Sequence, residues 1–475
     1  MQLTRKNMKQ GLLGLLWILL VPVITYVASM DMKFGVAFSV LAIGGALSLV
    51  CIFNYKLGYY LYISITFILP MLERMAGQEI SKGVAMDGLL LSTFLGCIFH
   101  RGDKTFKKIN FTGDPILICM YLYLVVLVSQ LFNPTSVSLL GWYTFLRVAL
   151  RSYIFLYIGL NVFNSMKDVY NFFKFWLALG SAAALYCCLQ QWFGLFWYEK
   201  AYMAAYPEKY KTTIIIFGIR LFSFMSDAAV LGIVLGCNIT LMLILLTANL
   251  RTISLPKKII MLISVVLHTL ALGYSGTRTG YVMLPLGLMI FFIANMHKRN
   301  TILVAMGFAF FGLVILFGPI HGNATVNRVR TAFIGEQDES VNVRDRNRAR
   351  IRPFMHTHPM GGGVNTTGGN GETYHPGHVL AGFQTDNGYL RAVLETGWIS
   401  MLLVAGVFYL LVHTAVINFF RATTELDKLL MIGLAAASFA AAISEYAQDT
   451  FTLVETSIML FAFIAIAIKV KYLNV

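Results

Sequence analysis

Charge is what this sequence has least of. Only 12% of its 475 residues are Asp, Glu, Lys or Arg, against roughly 25% in a soluble domain. Too few charges exist to cover a water-facing surface, which excludes a soluble globular fold. Apolar residues take their place, 58% of the chain, in continuous runs long enough to cross a bilayer. The apolar–polar alternation of a membrane barrel is missing, and helix is the other structure that satisfies every backbone group in lipid.

Further absences narrow the function. All six cysteines (Cys51, Cys97, Cys119, Cys187, Cys188 and Cys237) fall within or beside apolar runs. None can staple the long polar segment in the last third of the chain, and no CxxC spacing occurs. No internal repeat is visible, so an inverted-repeat transporter has no positive support. The net charge is +15, yet no soluble domain carries a basic patch with interleaved aromatics, which excludes nucleic acid as a partner. No small-x-small cleavage site follows the early apolar run, so Arg5, Lys6 and Lys9 read as the cytoplasmic flank of a retained first span.

What is present predicts an all-α fold, a polytopic bundle of about fourteen transmembrane helices. Their centres lie near Trp17, Ile43, Ile63, Leu91, Leu124, Phe155, Ala182, Leu235, Val265, Leu286, Phe310, Val407, Ala437 and Phe461. With both termini cytoplasmic, the basic clusters all fall inside: Arg101 to Lys108, Arg251 to Lys258, Lys298 and Arg299, Arg421 and Lys428, and Lys469 and Lys471. The expected organisation is spans 1–11 over 1–320, a long outer loop with short helices over 321–397, and spans 12–14 over 398–475.

Several arginines break this inside bias. Arg147 and Arg151 lie one turn apart near the outer end of the sixth span, where snorkelling to headgroups is the plain explanation. Arg328 and Arg330 begin the loop, and Arg344, Arg346, Arg348, Arg350 and Arg352 alternate with polar residues, as a solvated basic stretch does. Arg220 in GIRLFSFMSD and Arg278 in YSGTRTG sit at the outer boundary among small and hydroxyl residues. Their planar guanidinium forks match phosphate oxygens. A structural ion pair with Glu445, Asp449 or Glu455 is the competing reading.

The loop also holds His356, His358, His375 and His378. The usual spacings of a zinc site are incomplete and no cysteine helps, so neither metal nor cofactor is expected. His375 and His378 are candidate general bases, since imidazole titrates near neutral pH. Asp386, in TDNGYLRAVLETGWIS, reads either as a helix N-cap or as the base itself. Leu390, Val393 and Leu394 behind it would share one helical face.

Taken in order, Arg220 in GIRLFSFMSD, Arg278 in SGTRTG, the long outer loop, HPMGGG from His358 and DNGYLRAVLETG resemble the O-antigen ligase and polymerase superfamily. The resemblance covers the second half of the chain; the first half shares only its successive apolar spans. It implies a metal-independent membrane glycosyltransferase at the periplasmic face of a bacterial inner membrane. The donor would be an undecaprenyl-diphosphate-linked glycan, gripped by Arg220 and Arg278 with Arg151. The acceptor would be a second glycan or a lipid A core, the surroundings membrane lipid, and a chain-length regulator a further partner. Ligases of this family typically carry His-Asn where this chain has Asp386-Asn387, which favours a repeat-unit polymerase over a ligase. A lipid-linked oligosaccharide flippase is the alternative from another class.

Overall fold

The structure is a computed structural model that describes residues 32–77, 82–100, 109, 112–136, 138–207, 213–215, 218–319, 322, 324–333, 349 and 351–473. It is helical apart from a two-stranded antiparallel ribbon, β1 (Ile214–Ile215) and β2 (Gly218–Ile219), among the described residues. Among the described residues, seven helices are long and apolar enough to cross a membrane. They coincide with the expected spans at Leu124, Phe155, Ala182, Leu235, Val265, Val407 and Ala437. The centres at Ile43, Leu91, Leu286 and Phe310 fall in shorter apolar helices. Ile63 and Phe461 lie in the helices Tyr55–Ala76 and Val454–Val470. Trp17 lies outside the described residues.

Two compact units emerge. Of the described residues, the smaller takes 32–62 and 82–100. In it α1 (Met32–Phe53) packs on α3 (Lys82–Phe99). Gly96 permits the approach, since a Cβ there would stand 2.6 Å from the carbonyl oxygens of Cys51 and Ile52. Between them in sequence, α2 (Tyr55–Ala76) continues into the larger unit from Ile63 onward.

The larger unit holds α4 (Pro115–Ser129), α5 (Leu139–Val162), α6 (Met166–Phe193), α7 (Trp197–Ala205), α8 (Ala228–Leu246), α9 (Leu255–Ser275), α10 (Arg278–Ala294), α11 (Arg299–Phe317) and α12 (Ala324–Phe333). Beyond a turn of helix at 351–357 come α13 (Gly368–Tyr374), α14 (Gly388–Thr396), α15 (Trp398–Arg421), α16 (Glu425–Glu445) and α17 (Val454–Val470). The centre is α8, packed against α9, α10 and α16, and almost every residue of it is buried. A helix apolar on all sides belongs in such a position. Where α8 crosses α10, Gly232 faces Thr277 and Gly280 faces the carbonyl of Gly232. Small residues let membrane helices approach backbone to backbone.

Helix ends are set by side chains. Asp114 accepts from the Ile116 N–H at 3.0 Å to start α4, and Pro115 supplies the fixed first position. The same carboxylate pairs with Lys471 at 2.7 Å. Ser138 caps α5 through the Gly141 N–H, and Asp227 caps α8 through the Ala229 N–H. Arg330 donates to the carbonyls of Ile315, at 2.9 Å, and Gly318, closing the last turn of α11. This loop arginine is therefore structural. Arg344, Arg346, Arg348 and Arg350 lie outside the described residues, and Arg352 is exposed on the turn at 351–357.

Candidate active site

The YSGTRTG motif folds as one hinge between two helices. Gly276, at φ +57, takes the left-handed conformation that ends α9. Thr277 precedes the first residue of α10, which is Arg278 itself. Arg220, far away in sequence, returns to this hinge: its Nε donates to the Ser275 carbonyl at 3.3 Å and its Nη2 to Thr277 Oγ1 at 3.4 Å. The Leu221 N–H donates to the Tyr274 carbonyl at 3.2 Å, fixing the register of that strand against the helix end. The Arg220 guanidinium thus rests on the turn from which Arg278 opens the positive end of α10.

A residue that sequence reasoning missed braces the segment that follows Arg220. Arg74, buried at the end of α2, donates to the carbonyls of Ser223 and Met225, both at 2.9 Å. Its guanidinium also covers the Phe222 ring at 4.5 Å. Ser223 is held at φ +58, with its N–H on Gln190 Oε1 and its hydroxyl on the Ala183 carbonyl. A non-glycine residue in this region persists only where its surroundings over-determine it. The available signal was a charged residue at the end of an apolar run.

The glycine-rich loop docks onto α14 and α4. The N–H groups of Gly362 and Gly363 donate to the carbonyls of Leu394 and Glu395 at 2.7 and 2.9 Å. Gly361 and Gly397 sit at φ +76 and +90, and a Cβ on Gly397 would stand 2.3 Å from the Pro359 oxygen. This contact explains both HPMGGG and the glycine of ETG. From α4's end, Gln130 and Asn133 donate to the carbonyls of Met360 and Gly361 at 3.2 and 3.1 Å. Ile351, Leu380 and Leu394 form a small core, with Leu390 packed against it.

Two of the acids expected to rival the arginine pair, Asp449 and Glu445, are engaged elsewhere. Asp449 pairs with Arg391 at 2.7 Å, and Arg391 also meets Glu395 at 3.3 Å. Burial pulls this guanidinium down, but Glu395 and Asp449 outweigh it and hold it above the ordinary arginine value. Glu445 accepts the N–H groups of Thr450 and Phe451, and Glu455 that of Ser226 at 3.2 Å. Through Glu455 the arginine hinge adjoins the turn before α17, whose residues Thr452 to Val454 line a cavity of about 300 Å³. Tyr123, Phe145, Tyr153 and Phe451 form its aromatic walls, and Asn365 and Asn370 its amide groups. Arg151 lies half-buried on α5 beside Ser152, which lines the cavity.

The candidate bases differ in setting. Asp386 is exposed just before α14. It does not cap that helix: Asn387 does, accepting the Leu390 N–H at 3.0 Å. His378 Nδ1 accepts the Leu380 N–H at 3.2 Å, so the neutral ring carries its proton on Nε2 and has no second lone pair to offer. His375 is 3% exposed, and neither ring nitrogen makes a hydrogen bond of good geometry. Its Nε2 lies against Gly141, the third residue of α5. Burial lowers the pKa of both rings; for His375 the Val364 carbonyl and Glu395 oppose the shift, while for His378 the neighbouring His375 and His358 add to it. His358 stacks on Phe354 at 4.1 Å. No cluster of three or more His, Cys, Asp or Glu that could hold a metal occurs among the described residues.

These features define a helical membrane protein with paired arginines at a helix hinge, beside a cavity roofed by a glycine-rich loop. Residues 261–405 match the family described as O-antigen ligase, which places this stretch in the O-antigen ligase and polymerase superfamily. The match takes in Arg278, His375, His378 and Asp386; Arg220 and Arg151 lie outside it and are brought by the fold. No curated protein matches the chain.

Proposed function

We propose that the chain transfers a glycan from an undecaprenyl-diphosphate carrier at the periplasmic face of a bacterial inner membrane, as a repeat-unit polymerase within a bundle of about fourteen spans. The seating of the Arg220 guanidinium on the Ser275–Thr277 hinge, next to Arg278 at the start of α10, carries this reading. In the reaction an acceptor hydroxyl attacks the anomeric carbon, the carbon–oxygen bond to the diphosphate breaks, and the hydroxyl proton passes to a base. Negative charge grows on the leaving diphosphate, where preorganised donors contribute most. Arg220, Arg278 and the start of α10 would receive it, with Arg151 from α5. The aromatic cavity with Asn365 and Asn370 would hold the sugars, and the docked loop would keep water out.

Asp386 is assigned as the base, exposed where an acceptor arrives; His375, neutral but enclosed, is the second candidate, and His378 a hydrogen-bond donor. Replacing Arg220 or Arg278 with lysine keeps the charge and removes the fork, and should lower polymer output at least tenfold at equal protein level. Normal polymer from both variants would remove the clamp. Asp386→Asn should abolish transfer; full activity in that variant with loss in His375→Gln moves the base to His375. Deletion separates the alternatives by what accumulates: single repeat units on their acceptor for a polymerase, long polymer on the lipid carrier for a ligase acting on lipid A core or protein, and cytoplasmic single units for a flippase.

A further inference from the structure

The other end of the bundle holds a site that glycan transfer does not use. The helices α8 and α16 start and end in opposite senses, so Leu246 and Glu425 meet at the end remote from the arginine hinge. There a cavity of about 830 Å³ opens among the ends of α8, α10 and α15 and the starts of α11 and α16. Its volume lies within the range of small-ligand sites, roughly 300–1,000 Å³.

Four cations line it, Lys258, Lys298, Arg299 and Lys428, against one carboxylate, Glu425. That carboxylate is engaged by the Asn249 N–H at 3.0 Å and the Thr252 hydroxyl. Lys258 is engaged too, donating to the carbonyls of Leu246, at 2.9 Å, and Ala248, where it closes the end of α8. The remaining three cations are exposed at the rim. The N-terminus of α11, which starts at Arg299 without a side-chain cap, adds its own positive end. Orientation in the membrane accounts for lysines at this face, but not for their gathering around a cavity.

The cavity's other wall is apolar, with Leu250, Phe291 and Phe419. Leu250 itself, and Met296 and Phe420 next in sequence to lining residues, are left largely exposed, at 61%, 65% and 70%. A soluble phosphate ester would need the cations and no such wall. We infer that this cavity binds the phosphate headgroup of an anionic glycerophospholipid, with the acyl chains leaving along the exposed apolar side. Basic pockets between membrane helices are a recurrent form of headgroup recognition.

Full-length protein in detergent would be mixed with phosphatidylglycerol or phosphatidylethanolamine, and bound lipid counted by native mass spectrometry. Phosphatidylglycerol should be retained at least fivefold better. The Lys298→Gln, Lys428→Gln pair should weaken that retention about 25-fold, from about fivefold for each lysine near a phosphate. Both residues are exposed, so thermal unfolding without lipid should match the parent and separates lost binding from lost fold. Equal retention of the two lipids, or unchanged retention in the double variant, overturns the site. Displacement of phosphatidylglycerol by equimolar inorganic phosphate also overturns it, in favour of a soluble phosphate compound. None of these readouts depends on polymer synthesis.

Discussion

Asp386 and Asn387 stand side by side, and either residue type can cap a helix. The choice between them is made by which side chain reaches the Leu390 N–H, and that is Asn387. Asn387→Ala should therefore cost about 1 kcal/mol of stability, seen as faster hydrogen exchange in 388–396, while Asp386→Ala leaves exchange there unchanged. The reverse pattern would return the cap to Asp386 and weaken its case as the base. The histidines add a pH dependence. Burial lowers both His375 and His378 below the ordinary value, about 6.5 for a free imidazole. As pH falls, the unfolded loop takes up protons first, so loop stability is full above about 6.5 and is lost as pH drops through the lowered folded values. Exchange protection over 358–380 should be weaker at pH 5.5 than at 7.5; equal protection at both would contradict the buried neutral rings.

At the scale of elements, the motifs were legible as motifs but their partners were not. HPMGGG and ETG are visible in sequence; that Gly397 lies against the Pro359 oxygen depends on two segments meeting in space. Gly397→Ala would force a side chain into φ +90 with a carbonyl at 2.3 Å, and should cost well over about 1 kcal/mol. Limited proteolysis would report it as faster cleavage between 358 and 385, with the helices of the bundle left intact. Undiminished resistance would mean that the loop is held elsewhere. Arg391 and Glu395 form a spacing of four that helix geometry makes readable; Asp449, their third member, comes from the turn after α16 and leaves no local trace. Arg220 and Arg278 were individually conspicuous for breaking the inside bias of charge. Their meeting at one hinge is a product of α8 and α9 packing, which no local pattern encodes.

For the whole molecule, the apolar runs were the most legible feature, because lipid tolerates few alternatives to a helix of spanning length. Less apolar stretches such as Tyr55–Ala76 were placed by sequence as spans and fold as helices, although their composition falls short of the seven strongest. All six cysteines are buried, so the parent protein should react little with a membrane-impermeant maleimide. Glu372→Cys in the loop should label in intact spheroplasts, whereas Arg421→Cys at the end of α15 should label only after permeabilisation. Labelling of both from the same side would refute the orientation on which the periplasmic assignment depends.

The docking of the glycine-rich segment also bears on how such proteins diverge. Its carbonyls are read by Gln130 and Asn133 from the end of α4, and its supporting helix is pinned by Asp449 from the turn after α16. It is therefore not a cassette. A graft of 358–397 into another bundle arrives without the side chains that seat it. Any property set by this segment must then be inherited as a coordinated change in three separate stretches rather than exchanged as one.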